Sequence, residues 1–217
     1  MTDIVRLHNV VLRTKVLGPG ERVAIWFQGC KRSCKGCMSP SSRPLDGGML
    51  ASITKICRAV LAQEGLEGVT ISGGEPFLQP EALDSLLTCL REKSDLGVII
   101  YTGYTIEQLR EKNDPHINNI LDCLADTIID GEYVEEMNDG ASLKGSSNQR
   151  VIHLTERYRT NQSVYEGTTR DVEVHLSAGE AFMIGIPNKE TWRQWECALN
   201  DLDTEKRRVD SEVREMR

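Results

Sequence analysis

Residues 23–37 read VAIWFQGCKRSCKGC, an unbroken apolar run that leads straight into a loop carrying three cysteines. The run 23–27 has no polar side chain, which is typical of a strand buried on both faces of a parallel sheet. Similar runs follow at 68–72, 98–101 and 127–129, separated by helical patterns of about ten to fifteen residues. This alternation predicts βαβ units and an α/β fold. There are too few strands for eight repeats, so the alternatives are an incomplete barrel and an open sheet.

The composition is that of an ordinary globular protein. Of 217 residues, 39% are apolar and 27% are charged. A chain of this length and composition can form one hydrophobic core, either as a single domain or as a domain with an appendage. No stretch of about eighteen apolar residues occurs, and the first residues lack the apolar centre of a signal peptide. A net charge of −7 and 5% aromatic residues disfavour binding to nucleic-acid phosphates and bases. The sequence therefore predicts a cytoplasmic protein with no membrane or nucleic-acid partner.

Polar signatures follow the strands at the points where they end. The carboxyl ends of parallel strands share one edge of a sheet, and ligands bind at that edge. The sequence therefore predicts that four distant segments converge on one site. They are the cysteine loop, Gly73-Gly74-Glu75-Pro76, Thr102-Gly103-Tyr104 and Asp130-Gly131.

The cysteines point to metal chemistry. The chain has seven cysteines, an odd number, and no secretory signal is recognised. Both observations argue against a disulfide framework. Cys30, Cys34 and Cys37 crowd into one loop, and three thiolates can hold three corners of a four-iron cluster, leaving its fourth iron open. The alternatives are three incidental thiols and a zinc site, which lacks a neighbouring fourth ligand. The remaining cysteines are expected to be structural; they are Cys57, Cys89, Cys123 and Cys197.

The motifs as a set resemble a known superfamily. The Cx3CxxC spacing and the segment 72–76, SGGEP, resemble the radical S-adenosylmethionine (SAM) superfamily. More narrowly, four segments resemble the anaerobic ribonucleotide reductase-activating proteins, in the order found there. They are 18–22 (GPGER), 101–104 (YTGY), 129–131 (IDG) and 145–150 (GSSNQR).

The resemblance implies a fold and an activity. The fold would be α/β, a partial (β/α)6 TIM-like barrel. The activity would be that of an anaerobic oxidoreductase: an iron–sulfur, metal-binding activating enzyme whose [4Fe-4S] cluster binds S-adenosyl-L-methionine and reductively cleaves it to a 5′-deoxyadenosyl radical. That radical would install a glycyl radical on a partner such as anaerobic ribonucleotide reductase. A reductant such as flavodoxin or ferredoxin would supply the electron.

The resemblance also implies the site residues. Cys30, Cys34 and Cys37 would be the metal ligands, and no catalytic residue is expected beyond the cluster and SAM. Glu75 would accept the SAM ammonium, and Arg150 would pair with the SAM carboxylate. The full set of expected SAM contacts is Gly36, Cys37, Met38, Gly73, Gly74, Glu75, Tyr101, Thr102, Gly103, Asp130 and Arg150.

The chain continues beyond the matching motifs, which predicts a radical SAM core at 1–158 and a C-terminal extension at 159–217. Two short strands, 172–176 and 181–186, are expected to form a hairpin. A helix is expected from Asn188 to Arg217, with an apolar seam that would bind a partner or form a homodimer. The alternative is a solvated chain end. Because of this extension two other functions stay open: the same chemistry on a peptide or small molecule, and a non-catalytic iron–sulfur or zinc module.

Overall fold

A computed structural model describes residues 2–140, 143–177 and 180–201. Its centre is a seven-stranded sheet in the order β3-β1-β2-β4-β5-β6-β7, accompanied by a separate two-stranded hairpin, β8-β9. The strands are β1 (Ile4–Thr14), β2 (Arg22–Phe27), β3 (Met49–Ser52), β4 (Gly68–Gly73), β5 (Gly97–Tyr101), β6 (Thr127–Asp130), β7 (Arg150–His153), β8 (Val172–Ser177) and β9 (Glu180–Gly185).

The helices fill the connections between the strands. They are α1 (Ile53–Leu61), α2 (Pro80–Arg91), α3 (Ile106–Glu111), α4 (Pro115–Asn119), α5 (Gln162–Tyr165) and α6, at 189–201. A π-helical segment, Ile120–Leu124, extends α4, and short 3-10 turns lie at Pro40–Ser42, Pro76–Leu78 and Glu135–Met137. Of the helices that the structure describes, none is long and apolar enough to cross a bilayer.

Four strands of the sheet are parallel, and the others are not. β2, β4, β5 and β6 run in parallel, whereas β1, β3 and β7 each pair antiparallel with their neighbours. The predicted α/β alternation is confirmed. The predicted partial (β/α)6 TIM-like barrel is not confirmed: in the described chain β3 and β7 are opposite edges of an open, mixed sheet. One reason is that β2 follows β1 directly and pairs antiparallel with it, so no crossover helix connects these two strands.

Side chains of the parallel strands alternate between two cores. Ile25 of β2 and Ile100 of β5 face α1, α2 and α4, in the main apolar cluster. Their neighbours Ala24 and Ile99 face the opposite way, where residues from the C-terminal third of the chain cover them. Strands buried on both faces explain why 23–27 carries no polar residue.

The C-terminal segment therefore packs on the sheet face opposite the helices. Ile184 and Ile186 join the cluster of Leu17 and Ala24, and Tyr165 packs with Ile99. The predicted hairpin is confirmed by the antiparallel pairing of β8 and β9, although its residues 178–179 lie outside the described chain.

The predicted C-terminal helix is described only in its first part. Helix α6 covers 189–201, and the Asn188 side chain caps it by accepting from the Thr191 amide at 2.8 Å. Trp192 and Trp195 line a pocket together with Trp26 of β2. The remainder of the predicted helix, 202–217, lies outside the described residues.

Candidate functional site

A cleft opens where the four parallel strands end. The three loop cysteines line it, together with backbone and side chains from the loops after β4, β5 and β6. The predicted convergence of distant segments is thus found. Eight predicted SAM contacts line the cleft: Cys37, Met38, Gly73, Gly74, Glu75, Tyr101, Thr102 and Gly103.

The cysteine loop is closed by hydrogen bonds between its two ends. The Gly29 amide donates to the Ser42 carbonyl at 2.8 Å, and the Cys30 amide donates to the Arg43 carbonyl at 2.9 Å. The 3-10 turn Pro40–Ser42 holds the returning chain in place. Because these hydrogen bonds fix the loop where it leaves β2, its three thiols lie at the edge of the sheet where the parallel strands end.

The two glycines after β4 are required by the packing of backbone on backbone. Gly73 has φ +108, and a Cβ there would lie 2.4 Å from the Phe27 carbonyl oxygen. A Cβ on Gly74 would lie 2.3 Å from the Gly29 carbonyl oxygen. These contacts join β4 to β2 directly beside Cys30. They give a structural reason for both glycines in addition to the expected close approach of a cofactor.

Glu75 connects the loops after β4 and β5. Its side chain is 1% exposed; one carboxylate oxygen accepts from the Thr102 hydroxyl at 2.9 Å and the Phe77 amide at 3.1 Å. The other oxygen accepts from the Gly103 amide at 2.9 Å. Burial raises the pKa of this carboxyl above its ordinary range, while these hydrogen bonds oppose the rise. The predicted ammonium acceptor therefore already serves as a bracket between two loops.

Tyr101 and Gly103 shape the neighbouring wall. The Tyr101 hydroxyl donates to the Leu143 carbonyl at 2.9 Å, and burial raises its pKa. Gly103 lies under the Arg32 side chain, since a Cβ there would be 2.5 Å from Arg32 Cδ. Arg32 in turn stacks on the Tyr104 ring at 4.5 Å. The cysteine loop is thereby held against the loop after β5.

Three expected SAM contacts are not brought to the cleft. Asp130 is fully buried and accepts from Arg150 Nε at 2.9 Å and from the Ile106 amide at 2.8 Å. Arg150 also pairs with Glu107, and these two carboxylates raise its pKa. Gly36, with φ +66, lies beside Glu135. Asp130 and Arg150 are register partners across β6 and β7 and form an ion pair; that they contact SAM stays a prediction.

Acidic residues after β6 neutralise part of the cysteine loop's positive charge. Arg32 forms an ion pair with Glu132 at 3.1 Å, and Lys35 pairs with Glu135 and Glu136 at 3.3 and 3.2 Å. These pairs fasten the loop that carries the thiols to the loop 131–137.

The same acidic loop affects one of the thiols. Cys34 Sγ lies 3.5 Å from a Glu132 oxygen, and burial together with that carboxylate raises the pKa of Cys34 to about 11. Burial likewise raises the pKa of Cys30. The thiols of Cys30 and Cys34 are therefore harder to deprotonate than an ordinary cysteine thiol.

Several lining residues were not predicted. Gln149 joins two loops: its Oε1 accepts from the Gly145 amide and its Nε2 donates to the Gly131 carbonyl, both at 2.8 Å. It belongs to the segment 145–150, so the motif was a usable signal. Gly185 and Ile186, from the end of β9, also line the cleft. No local pattern marked them, because the return of the hairpin to the sheet is a long-range contact.

The donor set suits a four-iron cluster. Three thiols line one cleft, and none of the other four cysteines lines it. No group of three His, Cys, Asp or Glu side chains in the described part of the chain, the three loop cysteines included, is arranged to hold a single metal ion. Three soft sulfur donors match a cluster that keeps one iron open to a further ligand.

Comparison with known proteins agrees with this assignment. Residues 16–152 match the family described as a 4Fe-4S single cluster domain. Several anaerobic ribonucleoside-triphosphate reductase-activating proteins are similar to this chain in sequence. The one from Vibrio cholerae is 30% identical over 64% of this chain and 90% of its own length. The one from Salmonella typhi is 28% identical over 69% of this chain and 99% of its own.

A second kind of activating enzyme is also similar. The pyruvate formate-lyase-activating enzyme of Clostridium pasteurianum is 33% identical over 46% of this chain and 44% of its own length. The chain therefore belongs to the 4Fe-4S single cluster domain family and, within it, to the radical SAM activating enzymes of the glycyl-radical type.

Proposed function

We propose that this enzyme reductively cleaves SAM at a [4Fe-4S] cluster and installs a glycyl radical on a partner such as anaerobic ribonucleotide reductase. The observation that carries the proposal is the single cleft where three loop thiols meet the glycine-rich end of β4. Similarity to proteins named as activators of anaerobic ribonucleoside-triphosphate reductase supports the choice of partner.

The chain's own residues hold and orient the reactants. Cys30, Cys34 and Cys37 would bind three irons and leave the fourth for the amino and carboxylate groups of SAM. When bound, the cluster would supply the electron for reductive cleavage of SAM to methionine and a 5′-deoxyadenosyl radical. Glu75 is a buried carboxylate that lines the same cleft as the three cysteines. Its unused lone pair is available to the SAM ammonium.

The cleft would also exclude competing groups. Met38 and the half-buried Tyr101 give it apolar walls, and Ile186 from the hairpin covers it from the other side of the sheet. An apolar, enclosed wall keeps a carbon radical from reacting with other groups.

The remaining assignments belong to the same proposal. Residues 1–158 would be the radical SAM core and 159–217 an extension, with flavodoxin or ferredoxin as electron donor and the cytoplasm as location. The C-terminal helix would join two copies of the chain or dock the substrate protein.

A second candidate is the same chemistry on a peptide or small molecule. The cleft is lined partly by Gly185 and Ile186, which lie beyond the family match at 16–152. A wall built outside the shared domain is where a different substrate would be selected.

The proposed function has a direct test. Protein reconstituted anaerobically with iron and sulfide, then given SAM and dithionite, should release equal amounts of 5′-deoxyadenosine and methionine. Addition of an anaerobic ribonucleotide reductase should yield a protein carbon radical in the electron paramagnetic resonance spectrum. Deoxyadenosine without that signal, together with a modified peptide or metabolite, would favour the second candidate. Stoichiometric zinc and no cleavage would refute both.

The role of Glu75 can be separated from its bracket contacts. In Glu75→Gln the amide group must face the Gly103 amide or the donors on the other oxygen, leaving one buried donor unpaired at a cost of about 1–3 kcal/mol of unfolding free energy. If the carboxylate also accepts the SAM ammonium, SAM should bind more than about tenfold more weakly, which is about 1.4 kcal/mol.

Asp126→Asn is the matched control, because it makes the same carboxylate-to-amide change at a buried residue outside the cleft, where the carboxylate accepts from the Val98 amide. It should lower the melting temperature while leaving the SAM dissociation constant within about twofold of wild type. Equal SAM affinity in Glu75→Gln and wild type, measured by calorimetry on the cluster-loaded protein, would leave Glu75 as a bracket alone.

A further inference from the structure

Two cysteines outside the cleft lie on the neighbouring helices α1 and α2. Cys57 of α1 is 1% exposed and belongs to the apolar core, and Cys89 of α2 packs against that core. Lys93, which contacts Cys89, lines the same cavity as Cys57, so both cysteines lie in one small region of this helix pair. Since α1 and α2 pack directly on each other, a bond between these sulfurs would cross-link neighbouring helices.

A cation stands next to one of the two sulfurs. Lys93 Nζ donates to Cys89 Sγ at 3.4 Å, and this contact raises the pKa of Lys93. An ammonium in this place stabilises negative charge that develops on the Cys89 sulfur. Burial, by contrast, raises the pKa of Cys57 to about 12, so Cys57 remains a neutral thiol near pH 7.

The pair is accessible from the surface. Cys57 and Lys93 line a cavity whose rim includes Thr54 and Arg58, and Cys89 is itself partly exposed. Cys57 is almost fully buried, whereas Cys89 is partly exposed, so a small reagent reaches the Cys89 sulfur more readily than the Cys57 sulfur. This is the order that a two-step thiol exchange requires: an outer sulfur attacks first, and an inner sulfur resolves the product.

We propose that Cys57 and Cys89 form a redox-active dithiol that a small-molecule disulfide oxidises to a disulfide bond between α1 and α2. The Cys89 sulfur attacks the small disulfide, forming a mixed disulfide and releasing one thiolate, which takes the proton that Cys89 loses. The Cys57 sulfur then attacks the Cys89 sulfur, and the second small thiol leaves with the Cys57 proton. The protein loses two electrons and two protons, and the small disulfide becomes two thiols.

Peptide mapping tests the proposal on the full chain. Protein reconstituted with iron and sulfide is treated anaerobically with oxidised glutathione, quenched with acid, alkylated and digested with trypsin. The fragments 56–58 and 59–91 should be recovered joined through Cys57 and Cys89. Cys123 and Cys197, which are exposed, should carry glutathione singly and provide internal controls.

The order of the two steps is tested with variants. Cys57→Ala should stop at the mixed disulfide on Cys89, and Cys89→Ser should leave Cys57 unmodified. Lys93→Met should slow the first step by about fivefold, because it removes the neighbouring cation. Wild-type protein that accumulates glutathione on Cys89 without forming the Cys57–Cys89 bond would overturn the proposal. That result needs no variant to fold, and it is independent of SAM cleavage.

Discussion

Replacing any one of Cys30, Cys34 and Cys37 with alanine is expected to abolish both the cluster and SAM cleavage. All three thiols line one cleft, and none of the other four cysteines lines it to replace a lost ligand. A cluster with two protein ligands is exposed to loss of iron, so chemical analysis should find far fewer than about four irons per chain. Release of 5′-deoxyadenosine should fall below detection, since no electron reaches SAM without the cluster.

Two exposed cysteines provide matched controls for this result. Cys123→Ala and Cys197→Ala make the same change at sites outside the cleft, and both variants should keep wild-type iron content and cleavage rate. A Cys34→Ala protein that retains four irons and full activity would show that the ligand set is wrong. Circular dichroism and thermal melting of the apo variants would separate loss of the cluster from loss of the fold.

The cleft could be predicted from the sequence because its position follows from a general property of parallel sheets. The motifs at 30–37, 73–76 and 102–104 each come directly after an apolar strand, and the ends of such strands share an edge. Parallel pairing of β2, β4 and β5 then brings them together. Local pattern was sufficient here, since strand, turn and motif are contiguous in the chain.

The direction of the edge strands could not be predicted in the same way. The short run Val151-Ile152 indicates a strand but not its orientation, and β7 pairs antiparallel with β6. That orientation places Arg150 opposite Asp130, so the two side chains form an ion pair. The closure of the cleft by Ile186 likewise depends on where the hairpin returns to the sheet, which no local pattern encodes.

The motif 18–22 resembles a segment of the activating proteins, but its Arg22 lies far from the cleft and has a structural role. Arg22 opens β2 and pairs in register with Gly68, at the end of the sheet opposite the cysteine loop. Its side chain is fully buried, and each of its five N–H groups has an oxygen partner. The partners are the hydroxyls of Thr70 and Tyr158 and the carbonyls of Pro19, Val69 and Gly97.

Replacing Arg22 with methionine is therefore expected to destabilise the fold without changing the chemistry. Methionine fills similar space but donates nothing, so these oxygens lose their donors in a buried site. Leaving one buried acceptor without its donor costs about 1–3 kcal/mol, and removal of the buried cation offsets part of the loss summed over the five acceptors. The free energy of unfolding, measured with urea, should fall by at least about 1–3 kcal/mol.

The matched control is Arg13→Met, at a half-exposed arginine that pairs with Glu21 on the surface. Loss of an exposed ion pair should change the unfolding free energy by no more than about 1 kcal/mol. At a temperature where both variants are folded, iron content and 5′-deoxyadenosine release per folded chain should equal wild type, because Arg22 lies at the far end of the strands from the thiols. Wild-type stability in Arg22→Met would show that this network contributes nothing to folding. Loss of SAM cleavage in a fully folded, iron-loaded Arg22→Met protein would instead give Arg22 a role in the chemistry.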